Sequence, residues 1–335
     1  MGENPLRFKD IKPITIKTIT LDDFFYNKNI PVHFIKIDTE GWEYNILKGA
    51  ELTINKYKPI IQLEWSIENM KQCNINESDL LDLLNKYNYY EKSMVEEEKL
   101  FYPKYFKFNI PSNCNHVKLD IGLSYNAPQS QSWLSKEPNL MVFGFEPNPE
   151  SVKCIQDGNI QKRHHSRRQL EQKFINERRF HLIPVALSNV EKKEETNFYV
   201  NSNDCGTSSL YEHDEKYLGP IEKIIKVPVL SLKMFFDEFP WDRFEYIDYI
   251  KIDTQGSDLN ILKGAGNYLR ERVVFVTAEP DGYHYIGADD CNESNISEYM
   301  LSQNFIKINH PNTNDPTYVN KKFMDVAKSI YIEQT

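Results

Sequence analysis

No stretch of these 335 residues approaches the roughly eighteen uninterrupted apolar residues of a membrane-spanning helix, so the chain reads as soluble, with no membrane partner. The first dozen residues mix charges with Pro5 and lack an apolar core, which argues against a secretory signal and leads to the expectation of a cytoplasmic location. Cysteine is scarce and scattered. Cys73, Cys114, Cys154, Cys205 and Cys291 never fall at the Cys-x-x-Cys spacing of a zinc site or redox pair, so reduced thiols and no metal are expected. Positive charge is also short: a net charge of −9 gives no general attraction to nucleic acid, although a local patch can still supply one. The Gly-x-Gly-x-x-Gly phosphate cradle is missing, which weighs against a nicotinamide-dependent oxidoreductase.

What is present is a repeat. Residues 34–50 read FIKIDTEGWEYNILKGA and residues 249–265 read YIKIDTQGSDLNILKGA, identical at twelve of seventeen positions without a gap. The same spacing pairs Glu64 with Glu279. Each copy runs from an apolar segment ending in Asp, through a glycine turn and a helical stretch, to a second apolar segment ending in Glu. A short continuous apolar run is the signature of a buried parallel strand, and returning to its neighbour requires a helical crossover, so each copy predicts strand–helix–strand. The strands are expected at Ile35–Ile37 with Pro59–Leu63, and at Ile250–Ile252 with Val273–Thr277. Their acids then sit at carboxyl strand ends, where open α/β sheets place the ligand crevice.

The copies differ in what precedes them. Residues 116–226 carry further strand and turn signals, whereas almost nothing precedes Ile14. The expected organisation is therefore a partial unit over residues 1–92, a connector over 93–115 and a complete unit over 116–335. At 335 residues two units are the natural starting point.

The complete unit carries three more strand ends. Val117 to Gly122 ends in Asp120-Ile121-Gly122, followed by the polar turn Leu123-Ser124-Tyr125-Asn126. Such a turn lets backbone approach a small charged ligand, but alone it is also an ordinary strand-to-helix turn. Leu140–Phe145 ends in Glu146-Pro147, and a carboxylate there can grip both hydroxyls of a ribose. Phe180–Pro184 leads into Val185-Ala186-Leu187, small and apolar enough for an adenine ring to lie flat. Together the three ends describe a nucleoside site. S-adenosylmethionine, which has no phosphate, fits it without the missing glycines.

These segments, with Gly206-Thr207-Ser208-Ser209-Leu210 and the two Ile-Lys-Ile-Asp blocks, resemble the FkbM family of methyltransferases, in full over about 116–335 and in the carboxyl half only over about 15–90. The resemblance implies a Rossmann-like seven-strand α/β methyltransferase fold and S-adenosylmethionine as methyl donor. It also implies transfer to oxygen on a small-molecule or glycan acceptor. Asp120, Gly122, Ser124, Tyr125, Glu146, Pro147, Ala186 and Leu187 are the expected cofactor residues. Asp253 is the first candidate to orient the acceptor or take its proton, against the alternative of a helix-capping acid before Gly256; Glu279 and His284 come next. Where the first copy has Asp38-Thr39-Glu40-Gly41 the second has Gln255 in place of the Glu, and an amide can orient a substrate but not accept its proton. A catalytically inactive scaffold is the remaining alternative, discriminated by donor binding.

Asp38, Glu40 and Glu64 mirror the second copy's acids and are expected to be structural or substrate-presenting; core packing is the expected use of Trp42 and Trp65 beside them, stacking on a sugar face the alternative. Residues 161–180 hold seven Lys or Arg against two Glu, plus His164 and His165. A solvated helix face is the ordinary reading of this island, and a site for a phosphate-bearing acceptor or nucleic acid the other.

Overall fold

Both Ile-Lys-Ile-Asp segments are parallel strands in the computed structural model, which describes residues 15–95, 98–158, 169–310 and 313–334. The chain divides into two units, Met1–Tyr105 and Phe106–Thr335.

In the first unit β1 (Phe34–Ile37) pairs in parallel with β2 (Ile60–Glu64) across a crossover made of the helices Glu43–Lys48 and Glu51–Tyr57. β3 (Tyr89–Val95) and β4 (Glu98–Pro103) complete a sheet of order β1-β2-β4-β3, with β4 antiparallel to both neighbours. The helix Glu77–Lys86 shows why the sequence packs here. Asn76 and Asp79 close a capping box at its start, and Leu80, Leu83 and Leu84, at helical spacing, turn into the core. Each such leucine contributes about 1.5–3 kcal/mol of apolar burial. Trp65 is buried as expected, its indole N–H donating to Glu77 Oε1 at 2.8 Å, but Trp42 is 53% exposed and is not a core residue.

The second unit is built on β5 (His116–Ile121), β6 (Leu140–Phe145), β7 (Phe180–Ile183), β8 (Ala186–Leu187), β9 (Glu194–Asn201), β10 (Ile221–Leu230), β11 (Ile247–Ile252), β12 (Val273–Ala278), β13 (Phe305–Ile308) and β14 (Thr317–Asn320). Seven of these form one sheet in the order β13-β14-β12-β11-β5-β6-β7, parallel from β12 through β7 and antiparallel at β14 and β13. This is the Rossmann-like α/β arrangement. β6 and β12 are buried at every residue, as continuous apolar strands covered on both faces must be. A smaller sheet, β8-β10-β9, was not foreseen.

The repeat therefore extends to topology: β13-β14-β12-β11 reproduces β3-β4-β2-β1 strand for strand. Even the segment before each copy is tied alike, the Asp22 N–H donating to the Gly49 carbonyl at 3.0 Å and the Lys233 N–H to the Gly264 carbonyl at 2.8 Å. One expectation needs correcting. Residues 93–115, expected as a connector, include the end of β3 and all of β4, because β2 needs an antiparallel neighbour to cover its second edge. Of the basic island, residues 161–168, with Arg163, His164, His165, Arg167 and Arg168, lie outside the described residues. Of the rest, Lys173 pairs with Glu171 at 2.7 Å, Arg178 is exposed, and the buried Arg179 guanidinium donates to the Leu134 carbonyl at 3.2 Å. No helix of the described residues is long and apolar enough to cross a membrane.

In the first unit Asp22 substitutes for a helix cap: its carboxylate accepts from the Leu52 N–H at 3.0 Å, the Thr53 N–H at 2.7 Å and the Thr53 hydroxyl at 2.7 Å. Removing such a cap costs about 0.5–2 kcal/mol. Asp22→Ala should lower stability by that amount in urea denaturation monitored by circular dichroism; an unchanged midpoint would show that water replaces the cap.

Candidate active site

The site begins where β5 ends. The Gly122 N–H donates to the Phe145 carbonyl at 3.0 Å and the Asp253 N–H to the Ile121 carbonyl at 2.9 Å, so the turn after β5 threads between the ends of β6 and β11. Gly122 has φ +86°, and a Cβ there would stand 1.8 Å from the Asp253 carbonyl oxygen. Glycine is required first by this backbone contact, and only second by the cavity it also lines.

That cavity encloses about 240 Å3. Gly122, Ser124, Glu146, Pro147, Ala186 and Leu187 of the expected cofactor set all line it. Asp120 and Tyr125 do not appear among its lining residues. Asp120 is buried with its Oδ2 accepting from the Ser130 N–H at 3.0 Å and hydroxyl at 2.5 Å, so it caps the helix Pro128–Lys136; Tyr125 is buried. Asp120 points away from the cavity because successive side chains alternate along β5.

Glu146 is 5% exposed and accepts from the Asn148 N–H at 2.9 Å. Burial pushes its carboxyl up to about 8, against the lowering effect of the Asn148, Ser124 and Leu123 N–H groups. Val185, Ala186, Leu187, Phe198 and Leu210 add an apolar wall.

The remaining wall is made by the strand ends of the repeat. Asp253 keeps 33% of its side chain accessible and is paired with the Lys251 ammonium, Nζ to Oδ2 2.8 Å. Burial works against its charge, but Lys251 and the hydrogen bonds around it prevail and hold it below the usual carboxylate range. Glu279 goes the other way, pushed up by burial and by the neighbouring Asp253. Gln255 joins them: its Nε2 donates to Asp253 Oδ1 at 2.8 Å and to Glu279 Oε2 at 3.2 Å, while its Oε1 accepts from the Tyr285 hydroxyl at 2.7 Å. The Thr207 carbonyl lies 3.0 Å from the same tyrosine hydroxyl as an alternative acceptor for its one proton, and the Ser209 hydroxyl donates to the Gln255 carbonyl at 2.6 Å, which ties the 204–210 segment to the cavity wall. His284 is elsewhere. It lies on the 3-10 turn Gly282–His284 and stacks on Tyr217 with ring centroids 5.3 Å apart, not among the residues that line the cavity.

Asp258 was missed from the sequence. Fully buried, it accepts from the Thr254 N–H at 3.1 Å, the Thr254 hydroxyl at 2.6 Å and the Glu279 N–H at 2.9 Å. It thereby ties the end of β11 to the end of β12. Glu43 does part of this work in the first unit, accepting from the Thr39 N–H and hydroxyl, each at 2.9 Å. The available signal was the acid shared by positions 43 and 258 of the repeat.

A family model described as the Methyltransferase FkbM domain matches residues 2–90 and 129–306. The chain belongs to the FkbM methyltransferase family. Among solved structures, methyltransferase FkbM from Methylobacillus flagellatus KT is similar at 14% identity and a TM-score of 0.36, over 64% of this chain and 45% of that one. The present chain thus spans less than half of that protein. No curated protein matches it.

Within this FkbM chain the two copies of the block share backbone but not setting. Glu40 and Gly41 have φ 55° and 100°, Gln255 and Gly256 φ 58° and 100°. Yet Asp38 and Glu40 are exposed, with Lys36 3.7 Å from Asp38 and the Asn69 amide on Glu40 at 2.7 Å, while Asp253 and Gln255 line a cavity. Since Gly122 takes a left-handed φ and has no space for a Cβ, Gly122→Ala should cost about 3 kcal/mol or more in chemical denaturation. A variant of wild-type stability would mean that the β5 and β11 ends separate freely.

Proposed function

We propose that the second unit is an S-adenosylmethionine-dependent methyltransferase acting on a hydroxyl oxygen of a sugar or another hydroxyl-bearing acceptor. The observation that carries this reading is Glu146, a buried carboxyl at the end of β6 facing a cavity with an apolar wall. A carboxylate can accept from two ribose hydroxyls at once, and the wall of Val185, Ala186, Leu187 and Phe198 suits a flat base. Among the described lining residues are Glu146, Asp204, Asp253 and Glu279 but no Lys, Arg or His. Four carboxyl groups suit a cationic sulfonium and oppose a pyrophosphate, which argues for the methyl donor over a nicotinamide dinucleotide.

S-adenosylmethionine, when bound, supplies an electrophilic methyl on a positively charged sulfur. The protein's part is to align the acceptor, remove its proton and exclude water. Asp253, kept ionised by Lys251, is suited to orient an acceptor hydroxyl through its accessible edge. It is a weak base. That suffices, because a hydroxyl oxygen that is bonding to a methyl group becomes strongly acidic and gives up its proton late. Residues 204–210, tied to the cavity wall through Ser209, would keep water out.

If the ribose is gripped by the ionised form of Glu146, donor binding must expel its proton. The Glu146 proton alone then makes affinity rise by up to about tenfold per pH unit below about 8, a contribution that levels off above it. Glu146→Ala should weaken donor binding about tenfold or more, through the loss of charge-assisted hydrogen bonds, and abolish that pH dependence. Asp253→Asn should bind the donor nearly normally and transfer methyl about a hundredfold more slowly, read with labelled donor against fractionated glycans, proteins and RNA. Wild-type donor affinity in Glu146→Ala would remove the reading's support.

A further inference from the structure

Two carboxyl groups of the site share one cation. Among the described residues the Lys251 ammonium pairs with Asp253, at 2.8 Å. Glu279 stands within side-chain hydrogen-bond reach of the same carboxylate, and the Gln255 amide nitrogen serves both acids. The amide cannot turn over without cost, because Tyr285 occupies its oxygen side and two carboxyls need its N–H groups. Other titratable groups facing the pair are Asp120 at the end of β5, Glu146 at the end of β6, Asp258 on the helix after the turn, Asp281 and Tyr285 on the loop after β12, and Asp315 before β14. None of these supplies a second positive charge, so Coulomb repulsion leaves one carboxyl of the pair neutral in the empty site. Lys251 decides which: Asp253 ionises and Glu279 keeps the proton.

We propose that Glu279 is the charge-sensing residue of the donor site: a neutral acid in the empty cavity that releases its proton when a sulfonium enters, so that the site distinguishes S-adenosylmethionine from its uncharged product S-adenosylhomocysteine. The inference rests on the donor reading given above. A donor whose adenosine lies against Glu146 and the Ala186–Phe198 wall turns its sulfur toward the rest of the cavity, where Asp253, Gln255 and Glu279 stand. The sulfonium supplies the second positive charge that the pair lacks, and the Glu279 proton passes to solvent. After transfer the sulfur is neutral, Glu279 takes a proton back, and the product is held less tightly than the donor. Glu279 thereby determines specificity toward the donor's charge, separately from Glu146, which meets the ribose common to both ligands.

The test is calorimetric titration of the full chain at pH 7 with each ligand, in two buffers of different ionisation enthalpy, which counts protons released on binding. Glu146 contributes equally to both ligands, so the difference isolates the acid pair. Wild-type protein should release about 0.3–1 more proton with S-adenosylmethionine than with S-adenosylhomocysteine. Glu279→Gln should bind both ligands and lose that excess, while Tyr285→Phe, which frees the Gln255 amide but keeps the ring, should reduce it. Equal proton release for the two ligands in the wild type, or an excess retained in Glu279→Gln, would overturn the proposal. Binding of neither ligand would instead sink the donor reading itself.

Discussion

A buried carboxylate at the start of a short helix holds together everything that the site depends on. Asp258 has no cation among its hydrogen-bond partners; it is satisfied by the N–H and hydroxyl of Thr254 and by the Glu279 N–H. Burial pushes it up to about 7 even so, the cost of enclosing a carboxyl with hydrogen bonds alone. In return, the left-handed pair Gln255-Gly256 is held in place and the ends of β11 and β12 are clamped side by side. The β11–β12 ladder brings Asp253 and Glu279 side by side and the clamp fixes their backbone there, and their contrasting charge states follow from their meeting.

Half of this clamp recurs in the first unit, where Glu43 holds Thr39 and the Glu40-Gly41 pair adopts the same backbone. What differs is the company. β11 has β5 on its other side, and beyond it β6 and β7, which bring Gly122, Glu146 and the Ala186–Leu187 wall to the same edge of the sheet. β1 is an edge strand, and the acids that follow it are exposed. A shared turn is thus insufficient for a cavity, which also needs the ends of β5 and β6 and the Ala186–Leu187 wall.

Much of this was legible in the sequence because it depends on local backbone. The repeat led to the right crossovers, and the acids and small residues at the ends of β6, β7, β11 and β12 were found from apolar runs that stop abruptly. Direction was harder. Asp120 and Tyr125 stand in the right turn but face inward to a helix cap and the core, and His284 follows Glu279 closely in sequence yet is carried away by a 3-10 turn to Tyr217. Asp258 was hidden by an ordinary helical context. Gln255, which looked like a lost base, joins both acids to Tyr285, a partner thirty residues away that periodicity does not reveal. The β9–β10 hairpin escaped because its alternating pattern, half-exposed over most of β10, resembles any surface segment.

The central claim is that one complete donor site exists in the chain, built where the repeated strand pair meets β5, β6 and β7. The most direct measurement is the stoichiometry of S-adenosylmethionine binding to the full-length chain by isothermal titration calorimetry. The account predicts about one donor per chain, since only the second unit combines the clamp with a nucleoside pocket. A stoichiometry near two would contradict it, by showing that the first unit's exposed acids form a donor site without those strands.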